Sequence, residues 1–539
     1  MNVARVLIPP ADPPNLDRII VGLRERFNSA VCIVETGAVG SVSCKDVATL
    51  PALCHYLFWD AGCSFGGLIV EERSQNWELR YLFLARGSGW LEVLVTLPLE
   101  ATSVPTISAN VHSADWHERE AEDLFGLQFE NHPRLGDFVL HDQTWGESIA
   151  PFRKQFEMAK VHVNGQVNPS WRPLLVVQDP GAFAMPVGPV YEGGFGESVH
   201  FILETVGEDV LRAVPRLFFN FRGVEKIAEG KDVNNALLLS ERFAAKSSFA
   251  HSWAFCSAVE RICGIGIPPR AQRFRVILSE LERLRHHVGA ITGICESTAL
   301  SVSAAQAAII EENLLRVSCR FTGHRYLFGL NIPGGLRRDF LKSDLDNLLS
   351  GVLRAVEELK VLEERLSFTS SFLDRLEEVG IVDPKAARDL NLVGPVGRAS
   401  GRCHDLRREC PYGGYEDLEF EVPRENEGDG YARLRVLFLE AYQSVRLMRQ
   451  TINRLEDGPV HGSCRPQLAG AALGWVEAPI GATVHWLRVN DSGLVDRYRI
   501  ITPSFNNWLG FHVAVEDFAF QDFPIILATF GLSATECDR

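Results

Sequence analysis

The sequence predicts an α+β protein in which a small α+β N-terminal domain precedes a large, mainly helical domain with minor β structure. The chain has 539 residues, which is more than one hydrophobic core usually holds, so we expect two or three domains. One helical pattern followed by three strand-like runs indicates the first domain, and long helical periodicity after residue 270 indicates the second.

The composition is typical of a folded globular protein and argues against one class of partner. Hydrophobic residues make up 46% of the chain and charged residues 23%. With 54 basic and 69 acidic residues the net charge is −15, which argues against nucleic acid because such a partner needs a basic face. The 12 cysteines include no Cys-x-x-Cys pair, so we expect reduced thiols and no iron–sulfur, zinc or other metal motif in this chain.

Targeting and membrane-spanning signals are not found in the sequence. The N-terminal residues MNVARVLIPPADPP lack the basic start and apolar core of a signal peptide. No uncharged apolar run reaches the roughly 18 residues that a membrane helix needs. The stretch 288–310 comes nearest, but it contains Glu296 and many small residues, so we interpret it as a buried helix pair.

The first predicted domain covers residues 1–139. Apolar residues at helical spacing predict a helix over 15–28, with Asn15 as its cap. The charged stretch 112–126 predicts a second helix, which by itself would usually form a solvated face. Runs rich in β-branched and aromatic residues, separated by turn residues, predict strands at 67–72, 78–86 and 90–97.

A proline-containing stretch without periodicity, 140–184, predicts a linker to the second domain at 185–539. In that domain, helical spacing extends for about 27 residues from Arg270 and returns over 304–327 and 345–359. The glycine-rich run 188–201 matches neither Walker nor Rossmann spacing, so a phosphate site is not expected there.

The most informative stretch is 239–260, LSERFAAKSSFAHSWAFCSAVE. Small residues surround Lys246 and lead into a segment that could be helical. Taken alone, this pattern is typical of a tight packing junction. Its frame Leu-Ser-Glu-Arg…Phe-Ala-His-Ser, however, resembles the metal-binding loop of nickel–iron hydrogenase large subunits of the formate hydrogenlyase type.

Further motifs extend this resemblance over about residues 112–539, in the same order. The run from Trp116 to Gly126, with His132-Pro133-Arg134-Leu135, resembles the 30-kDa-type subunit of complex I, which is a docking domain without cofactor. The rest resembles the 49-kDa-type subunit and hydrogenase large subunits. The matching elements are Arg222-Gly-x-Glu225-Lys226, Glu282-Arg283-x-x-x-His287, Gly334-Gly-x-Arg-Arg-Asp339, Gly394-Pro-x-x-Arg398-x-Ser-Gly401 and Glu477-Ala-Pro-x-Gly481.

In the resembled hydrogenases, two Cys-x-x-Cys pairs bind the metals. In ungapped register those four ligand positions are Ala244, Ser247, Ser533 and Glu536, and Cys537 is one residue off. A nickel–iron centre needs soft thiolate ligands, so we expect no metal here. The Arg-Ile-Cys-Gly-Ile-Gly run around Cys263 lies after the Ala-His-Ser and holds one thiol, so we interpret Cys263 as structural.

The resemblance also suggests residues for a remodelled cavity. Its candidates are Lys246, His251, His200, Arg398 and Ile480, the last at the position of an arginine that borders the hydrogenase metal site. His200 matches a loop that lines the quinone pocket in complex I, although a satisfied loop histidine is as good an interpretation. The glutamate matching Glu225 is linked to proton transfer in hydrogenases, and here it could equally be an ion-pair partner.

Because Lys246 and Glu536 lie in loops that meet in the family, we further predict an ion pair between them.

Two functional hypotheses follow from the resemblance. In the first, the chain is a peripheral subunit on the cytoplasmic face of the inner membrane in a complex I-like, ion-translocating complex, and electrons reach a quinone-like or other small acceptor. In the second, the chain is a non-catalytic scaffold. The implied partners are an iron–sulfur small subunit (complex I 20-kDa-like) with a 4Fe–4S cluster, a ferredoxin-like subunit, and membrane-arm subunits including a complex I subunit-1-like protein.

A remote third possibility is that His, Glu and Cys537 recruit another metal.

Overall fold

The structure, a computed structural model, describes most of the chain. Its described residues are 16–27, 30–35, 39–133, 138–141, 149–157, 176–177, 179–192, 197–462 and 469–539. The candidate cap Asn15, much of the predicted linker 140–184 and the glycines at 193, 194 and 196 therefore lie outside the described residues.

The described elements alternate between helices and short sheets. The helices are α1 (Leu16–Phe27), α2 (Leu50–His55), α3 (Asp115–Phe125), α4 (Val224–Ala228), α5 (Val233–Arg242), α6 (Ser248–Cys263), α7 (Pro269–Ser297), α8 (Ser301–Thr322), α9 (Lys342–Ser367), α10 (Ser370–Leu373), α11 (Pro384–Asp389), α12 (Gly394–Ala399), α13 (Leu406–Glu409), α14 (Gly430–Asn453), α15 (Pro503–Val515) and α16 (Phe523–Phe530). The strands are β1 (Val31–Glu35), β2 (Val39–Cys44), β3 (Ser64–Glu72), β4 (Asn76–Ala85), β5 (Gly89–Pro98), β6 (Ser103–Pro105), β7 (Gln128–Glu130), β8 (Phe183–Glu192), β9 (Glu197–Val206), β10 (Asp209–Arg216), β11 (Asn331–Ile332), β12 (Gly335–Leu336), β13 (Gly470–Ala478), β14 (Gly481–Val489), β15 (Val495–Ile501) and β16 (Phe518–Ala519).

The chain divides into two compact units, of which the first comprises residues 1–118 and 127–135. Its main sheet has the strand order β1-β2-β5-β4-β3, in which β2 and β5 run parallel and the other pairs antiparallel. The three predicted strands are confirmed as β3, β4 and β5, and the first predicted helix as α1. The predicted α+β class is thus confirmed for this unit.

Several acidic side chains of α3 are buried, contrary to the solvated face that its charge alone predicts. Glu118 is fully buried and accepts hydrogen bonds from the Ile107 backbone N–H at 2.8 Å and from the Thr106 hydroxyl. Burial raises the pKa of Glu118 to about 7, against the lowering effect of these donors and of His132. The charges of this helix therefore have a structural role.

The second unit, residues 119–126 and 136–539, is mainly helical. Its longest helix, α7, is buried along most of its length and packs against α8 and α14. A four-stranded sheet has the order β16-β10-β9-β8, and a three-stranded sheet has the order β13-β14-β15. The predicted helices at 270, 304–327 and 345–359 are confirmed as α7, α8 and α9, with α8 ending earlier, where Gly323 has a φ of 82°.

Two glycines allow the close approaches that shape the centre of this unit. Gly394 has a φ of 65°, and a side chain there would overlap the carbonyl of Ile480. A side chain at Gly474 on β13 would overlap the Ala254 carbonyl on α6. The sheet β13-β14-β15 can therefore lie directly against α6.

In the part of the chain that the structure describes, no helix is both long and apolar enough to cross a membrane.

Candidate functional site

The stretch 239–260 forms a helix, a turn and a second helix. Helix α5 ends at Arg242, Ala244 is extended with φ −133° and ψ 90°, and a single tight turn over Ala245–Ser247 leads into α6. The buried Glu282 of α7 accepts hydrogen bonds from the backbone N–H groups of Phe249 (2.8 Å) and Ala250 (3.0 Å). A carboxylate from another helix thus satisfies the free N–H groups at the start of α6 and fixes the position of this turn.

The C-terminal segment 533–539 is buried beside the start of α15. Its Glu536 is 1% exposed, and one carboxylate oxygen, Oε2, accepts the Ser504 backbone N–H at 3.3 Å. The hydroxyl of Thr502, which caps α15, donates to the Glu536 carbonyl at 3.1 Å. A carboxylate is favoured at a helix N-terminus. The start of α15 therefore stabilises the charge of the buried Glu536, which would otherwise be costly.

A cavity of about 530 Å³ lies between the turn after α5 and this C-terminal segment. All four ligand positions are buried, and three of them, Ala244, Ser533 and Glu536, line the cavity. Ser247 is not a lining residue. Among the described residues, the lining is Asn220, Phe221, Arg222, Arg242, Phe243, Ala244, Ala245, Lys246, Ser533, Thr535, Glu536 and Asp538.

A chain of buried polar side chains extends inward from Glu536. The Nε2 atom of His251 lies 3.6 Å from Oε1 of Glu536. The Nδ1 atom of His251 lies 3.0 Å from Nε2 of His485, and Nδ1 of His485 lies 2.7 Å from the Tyr498 hydroxyl. All four side chains are at most 1% exposed. Two hydrogen bonds join His251, His485 and Tyr498, and a longer ionic contact joins His251 to Glu536; these four residues are here called the relay.

The electrostatics of the relay favour an ionised Glu536 and a neutral His485. Burial alone would raise the pKa of Glu536, but His251 and the Ser504 N–H lower it below its ordinary value. Burial, together with His251 and Arg539, lowers the pKa of His485 well below its ordinary value. Burial likewise raises the pKa of the Tyr498 hydroxyl well above its usual range, so Tyr498 stays protonated.

The hydrogen bonds of the relay can run in two directions. When Tyr498 donates to His485, His485 donates to His251, and the Nε2–H of His251 faces the carboxylate of Glu536. In the reverse direction His251 presents a lone pair to Glu536, which then needs a proton of its own. The relay can therefore respond to a proton arriving at Glu536 by reversing its hydrogen bonds.

The predicted ion pair between Lys246 and Glu536 is wrong. Within the described residues, Lys246 makes no ion pair within 4.0 Å, and Glu536 has His251 as its partner. Lys246 is half-buried at the cavity wall and acts electrostatically on His286 and Glu311 instead. The two loops do meet at one cavity, as predicted, but the carboxylate of Glu536 contacts the start of α15 and His251.

Arg398 lies at the centre of a buried ion network and does not line the cavity. Its Nε donates to Glu440 at 2.6 Å, and its Nη1 donates to Glu477 at 2.9 Å. Burial would raise the pKa of Glu440, but Arg398 and His287 hold it well below its ordinary value. Ile480 is buried, with its carbonyl against Gly394, and it is not a lining residue either.

Glu225 belongs to a second buried network, with Glu120, Arg499 and Arg539. Oε1 of Glu225 accepts the Ile500 backbone N–H at 2.7 Å and the Nε of Arg539 at 3.2 Å. Arg539 also donates to Glu120 at 2.9 Å, and Arg499 bridges both carboxylates. Glu225 was interpreted either as a proton-transfer group or as an ion-pair partner. In this structure it makes the ion pairs.

His200 lies apart from the cavity, on β9. It is paired in register with Arg216 on β10, and its ring centroid lies 6.2 Å from that of Phe219. Burial, together with Arg216, lowers the pKa of His200 below its ordinary value. The loop next to it, 193–196, lies outside the described residues, so His200 is described here only by its strand.

Sequence patterns assigned no role in the site to three residues that the structure brings there. His485 follows the Glu-Ala-Pro-x-Gly element, and this proximity in sequence is the only signal for it. Arg242 is matched only as part of the Leu-Ser-Glu-Arg frame, and Tyr498 belongs to no motif. His485 and Tyr498 reach His251 because β14 and β15 pair with each other and β14 packs against α6.

The four ligand positions do not fit a centre that needs four thiolates. They provide one methyl group, two hydroxyls and one carboxylate, all hard or non-coordinating. The nearby Cys537 is fully buried, its Sγ lies 3.7 Å from the Ser533 carbonyl, and burial raises its pKa well above the usual range. Among the residues described here, no three His, Cys, Asp or Glu side chains cluster as metal ligands would.

Comparison with known proteins gives two family matches along the chain. Residues 46–162 match the 30 kDa subunit of the respiratory-chain NADH dehydrogenase, and residues 303–469 match its 49 kDa subunit. Formate hydrogenlyase subunit 5 of Escherichia coli (strain K12) is 30% identical over 501 residues, covering 91% of this chain and 87% of that protein. The chain belongs to this family of large subunits.

Other members of the family carry the names of related complexes. Hydrogenase-4 component G of Escherichia coli (strain K12) is 28% identical over 536 residues, or 97% of this chain and 92% of that protein. The NADH-quinone oxidoreductase C/D protein of Gluconacetobacter diazotrophicus is 31% identical over 476 residues, or 78% of this chain and 77% of that protein. The predicted fusion of a 30-kDa-like and a 49-kDa-like part is thus confirmed.

Proposed function

We propose that this chain is the large subunit of a complex I-like or formate hydrogenlyase-like membrane complex that lacks a nickel–iron centre. In this proposal it takes part in electron transfer to a quinone-like or other small acceptor, coupled to ion translocation. The observation that carries the proposal is the cavity of about 530 Å³ at the predicted ligand positions, where no described lining residue is a cysteine.

The cavity has the properties of a small-molecule site. Its volume lies within the range of about 300–1,000 Å³ that is usual for ligand pockets. It combines the aromatic walls Phe221 and Phe243 with the charged groups of Lys246 and Glu536. Glu536, which is ionised at the end of the relay, could take up a proton and pass it to a reduced acceptor. These features favour a redox subunit in which a small acceptor binds in the cavity at the positions where the resembled hydrogenases hold their metals.

The proposed partners follow from the resemblance to complex I and formate hydrogenlyase large subunits. We infer an iron–sulfur small subunit with a 4Fe–4S cluster as the electron donor, a ferredoxin-like subunit, and membrane-arm subunits including a complex I subunit-1-like protein. The proposed location is the cytoplasmic face of the inner membrane, as a peripheral subunit.

A scaffold function is the second candidate, and the buried ion networks favour it. Arg398 and Glu225 are each held by several partners at 2.6–3.2 Å, which is typical of groups that maintain one conformation. In a scaffold the cavity would bind nothing, and the networks would keep the docking surfaces in shape.

The first experiment is to measure nickel, iron and acid-labile sulfide in the purified complex, together with the identity of its subunits and its hydrogen uptake. Absence of nickel, with iron explained by clusters in other subunits, supports the proposal, and reduction of a small acceptor then separates the redox subunit from the scaffold. Stoichiometric nickel with hydrogen uptake would overturn both, because the ligand register would then be wrong.

A further inference from the structure

We propose that the exposed surface of α8 and α9 docks another protein subunit through an apolar patch with one cation at its centre. The partner surface that fits is apolar, carries a carboxylate that reaches Arg365, and has basic groups at its margin. The inference rests on the proposed function only in taking the chain as one subunit of a larger complex, and it uses neither the cavity nor any redox chemistry.

The patch consists of large apolar side chains that the fold leaves in solvent. Val302 and Ile309 of α8 are 70% and 59% exposed, and Val361 of α9 is 57% exposed. Phe368, the C-terminal cap of α9, is 83% exposed. In the part of the chain that the structure describes, these are four of the five most exposed large hydrophobic side chains. They are here called the α8–α9 patch.

One hydrogen bond shows that the members of the α8–α9 patch are neighbours. Arg365 of α9 donates to the side-chain oxygen of Gln306 on α8. The two α8 members lie four residues before and three residues after Gln306, and the two α9 members have the same spacing around Arg365. Residues three and four apart lie on one face of a helix, so all four surround this hydrogen bond.

The antiparallel course of the two helices places the members in opposing pairs. Gly351 of α9 lies against Val317 of α8, so moving forward along α8 from Gln306 means moving backward along α9 from Arg365. The first member on each helix is therefore level with the second member on the other. Apolar side chains exposed singly are ordinary, but a contiguous group of this kind is typical of a protein interaction site.

Arg365 gives the α8–α9 patch a charge that its surroundings do not neutralise. Its side chain is exposed, and among the described residues it makes no ion pair. Exposed acids border the patch instead, at Glu358 and Glu364, three residues on either side of Val361. A complementary partner therefore has an apolar centre with one carboxylate for Arg365, and basic groups that face the two acids.

The same charges disfavour two other occupants. A second copy bound about a two-fold axis through the patch would bring one Arg365 near the other, with no acid inside the patch to pair with either. An anionic membrane surface would be repelled by Glu358 and Glu364. Another subunit of the complex is therefore the occupant that fits.

The test is photocrosslinking in the purified complex. The crosslinking amino acid p-benzoylphenylalanine is placed at Phe368 or at Val302, one position at a time, and the products are identified by mass spectrometry. Both positions should crosslink to one and the same other subunit. Leu341, which is 70% exposed just before the start of α9, is the control position and should not give the same crosslinked peptide.

The crosslinking result can overturn the proposal in several ways. Crosslinks only within this chain would mean that another segment of it covers the patch. Crosslinks only to a second copy or to lipid would identify one of the disfavoured occupants. No crosslink from either position in the intact complex would show that the patch is free.

Charge reversal tests the role of Arg365. Arg365→Glu should weaken the affinity of the crosslinked subunit for the full chain at least about ten-fold, because arginines are common among the few residues that dominate an interface. Replacing the opposing carboxylate of that subunit by arginine should restore the affinity. Lys342→Glu, exposed at the other end of α9, is the control and should have no effect. Equal loss in the control, or no recovery, would overturn the proposed charge pair.

The variants should not change the folding of the chain, since they alter exposed side chains, and thermal unfolding of the isolated chain checks this. The outcomes also separate this inference from the proposed function. A crosslinked partner in a complex that contains stoichiometric nickel would keep the inference and remove the proposed function. Acceptor reduction by a complex without crosslinks from the patch would do the reverse.

Discussion

His251 and Glu536 face each other across 3.6 Å, from Nε2 to Oε1, in the interior of the second unit. Glu536 stands at a position where the related hydrogenases are expected to carry a metal ligand. Here its carboxylate instead joins the inner wall of the cavity to the histidine–tyrosine relay.

Restoring thiols tests whether the four ligand positions do meet. The variant with Ala244→Cys, Ser247→Cys, Ser533→Cys and Glu536→Cys should bind one Co²⁺, because four thiolates provide the soft donor set that the native residues lack. The measurement is the thiolate-to-cobalt absorption in titration. The native chain should show no such band. The two-site variant Ala244→Cys/Ser247→Cys is the control, and cobalt binding as tight as in the four-site variant would contradict the register.

Removing the Tyr498 hydroxyl tests the relay. Tyr498→Phe leaves Nδ1 of the buried His485 without its partner at 2.7 Å, so the free energy of unfolding should fall by about 1–3 kcal/mol. Chemical denaturation measures it. Tyr442→Phe is the matched control: its hydroxyl donates to Glu363 at 2.6 Å at a half-exposed site, and its loss should cost less. If both variants lose the same unfolding free energy, burial adds no cost to the loss of the Tyr498–His485 hydrogen bond.

The network around Arg539 should respond strongly to the loss of one charge. Arg539→Met leaves the buried Glu120 and Glu225 with fewer partners, and breaking such a buried pair costs about 3–5 kcal/mol of unfolding free energy. The double variant Glu120→Gln/Arg539→Met should recover part of this loss, because it also removes one unpaired charge. As a control, Arg316→Met breaks an exposed pair with Glu312 at 2.8 Å and should cost under about 1 kcal/mol.

Glu118 should make the stability of the first unit depend on pH. Burial raises its pKa in the folded chain to about 7, whereas an unfolded glutamate titrates near about 4.3. Between these values the folded state holds a proton that the unfolded state has lost, so stability is highest at the acidic end and falls as the pH rises towards 7. Above pH 7 the buried carboxyl of Glu118 is ionised, and the full free-energy cost of burying its charge lowers the stability.

The variant Glu118→Gln cannot ionise, so its stability relative to the native chain should rise between pH 4.5 and 7. The rise should be up to about 3 kcal/mol, at about 1.4 kcal/mol per pKa unit. Denaturation curves across this range measure the difference. Glu100→Gln, at an exposed site, is the control for removing a glutamate carboxyl from the surface of the same unit. A flat difference for Glu118→Gln would show that the carboxyl is ionised throughout.

The sequence predicted the secondary-structure elements better than it predicted the side-chain contacts in the site. Runs of β-branched and aromatic residues predicted β3–β5, and helical spacing predicted α1 and α7 closely and α8 and α9 with less accurate ends, because buried positions recur at these spacings. The family motifs located the four ligand positions, three of which the structure brings to one cavity. The predicted pair of Lys246 with Glu536 failed because sequence register fixes which loops meet, and the direction of each side chain depends on its neighbours.

The sequence alone determined the order of the elements, the fused two-part family pattern and the residue types at the four predicted ligand positions. Only the tertiary structure decided which groups surround them. His251 and His485 are 234 residues apart along the chain, and their contact depends on how α6 packs against β13 and β14. Hydrogen bonds between such distant groups follow from packing and from the need to satisfy buried polar atoms, and no local pattern encodes either.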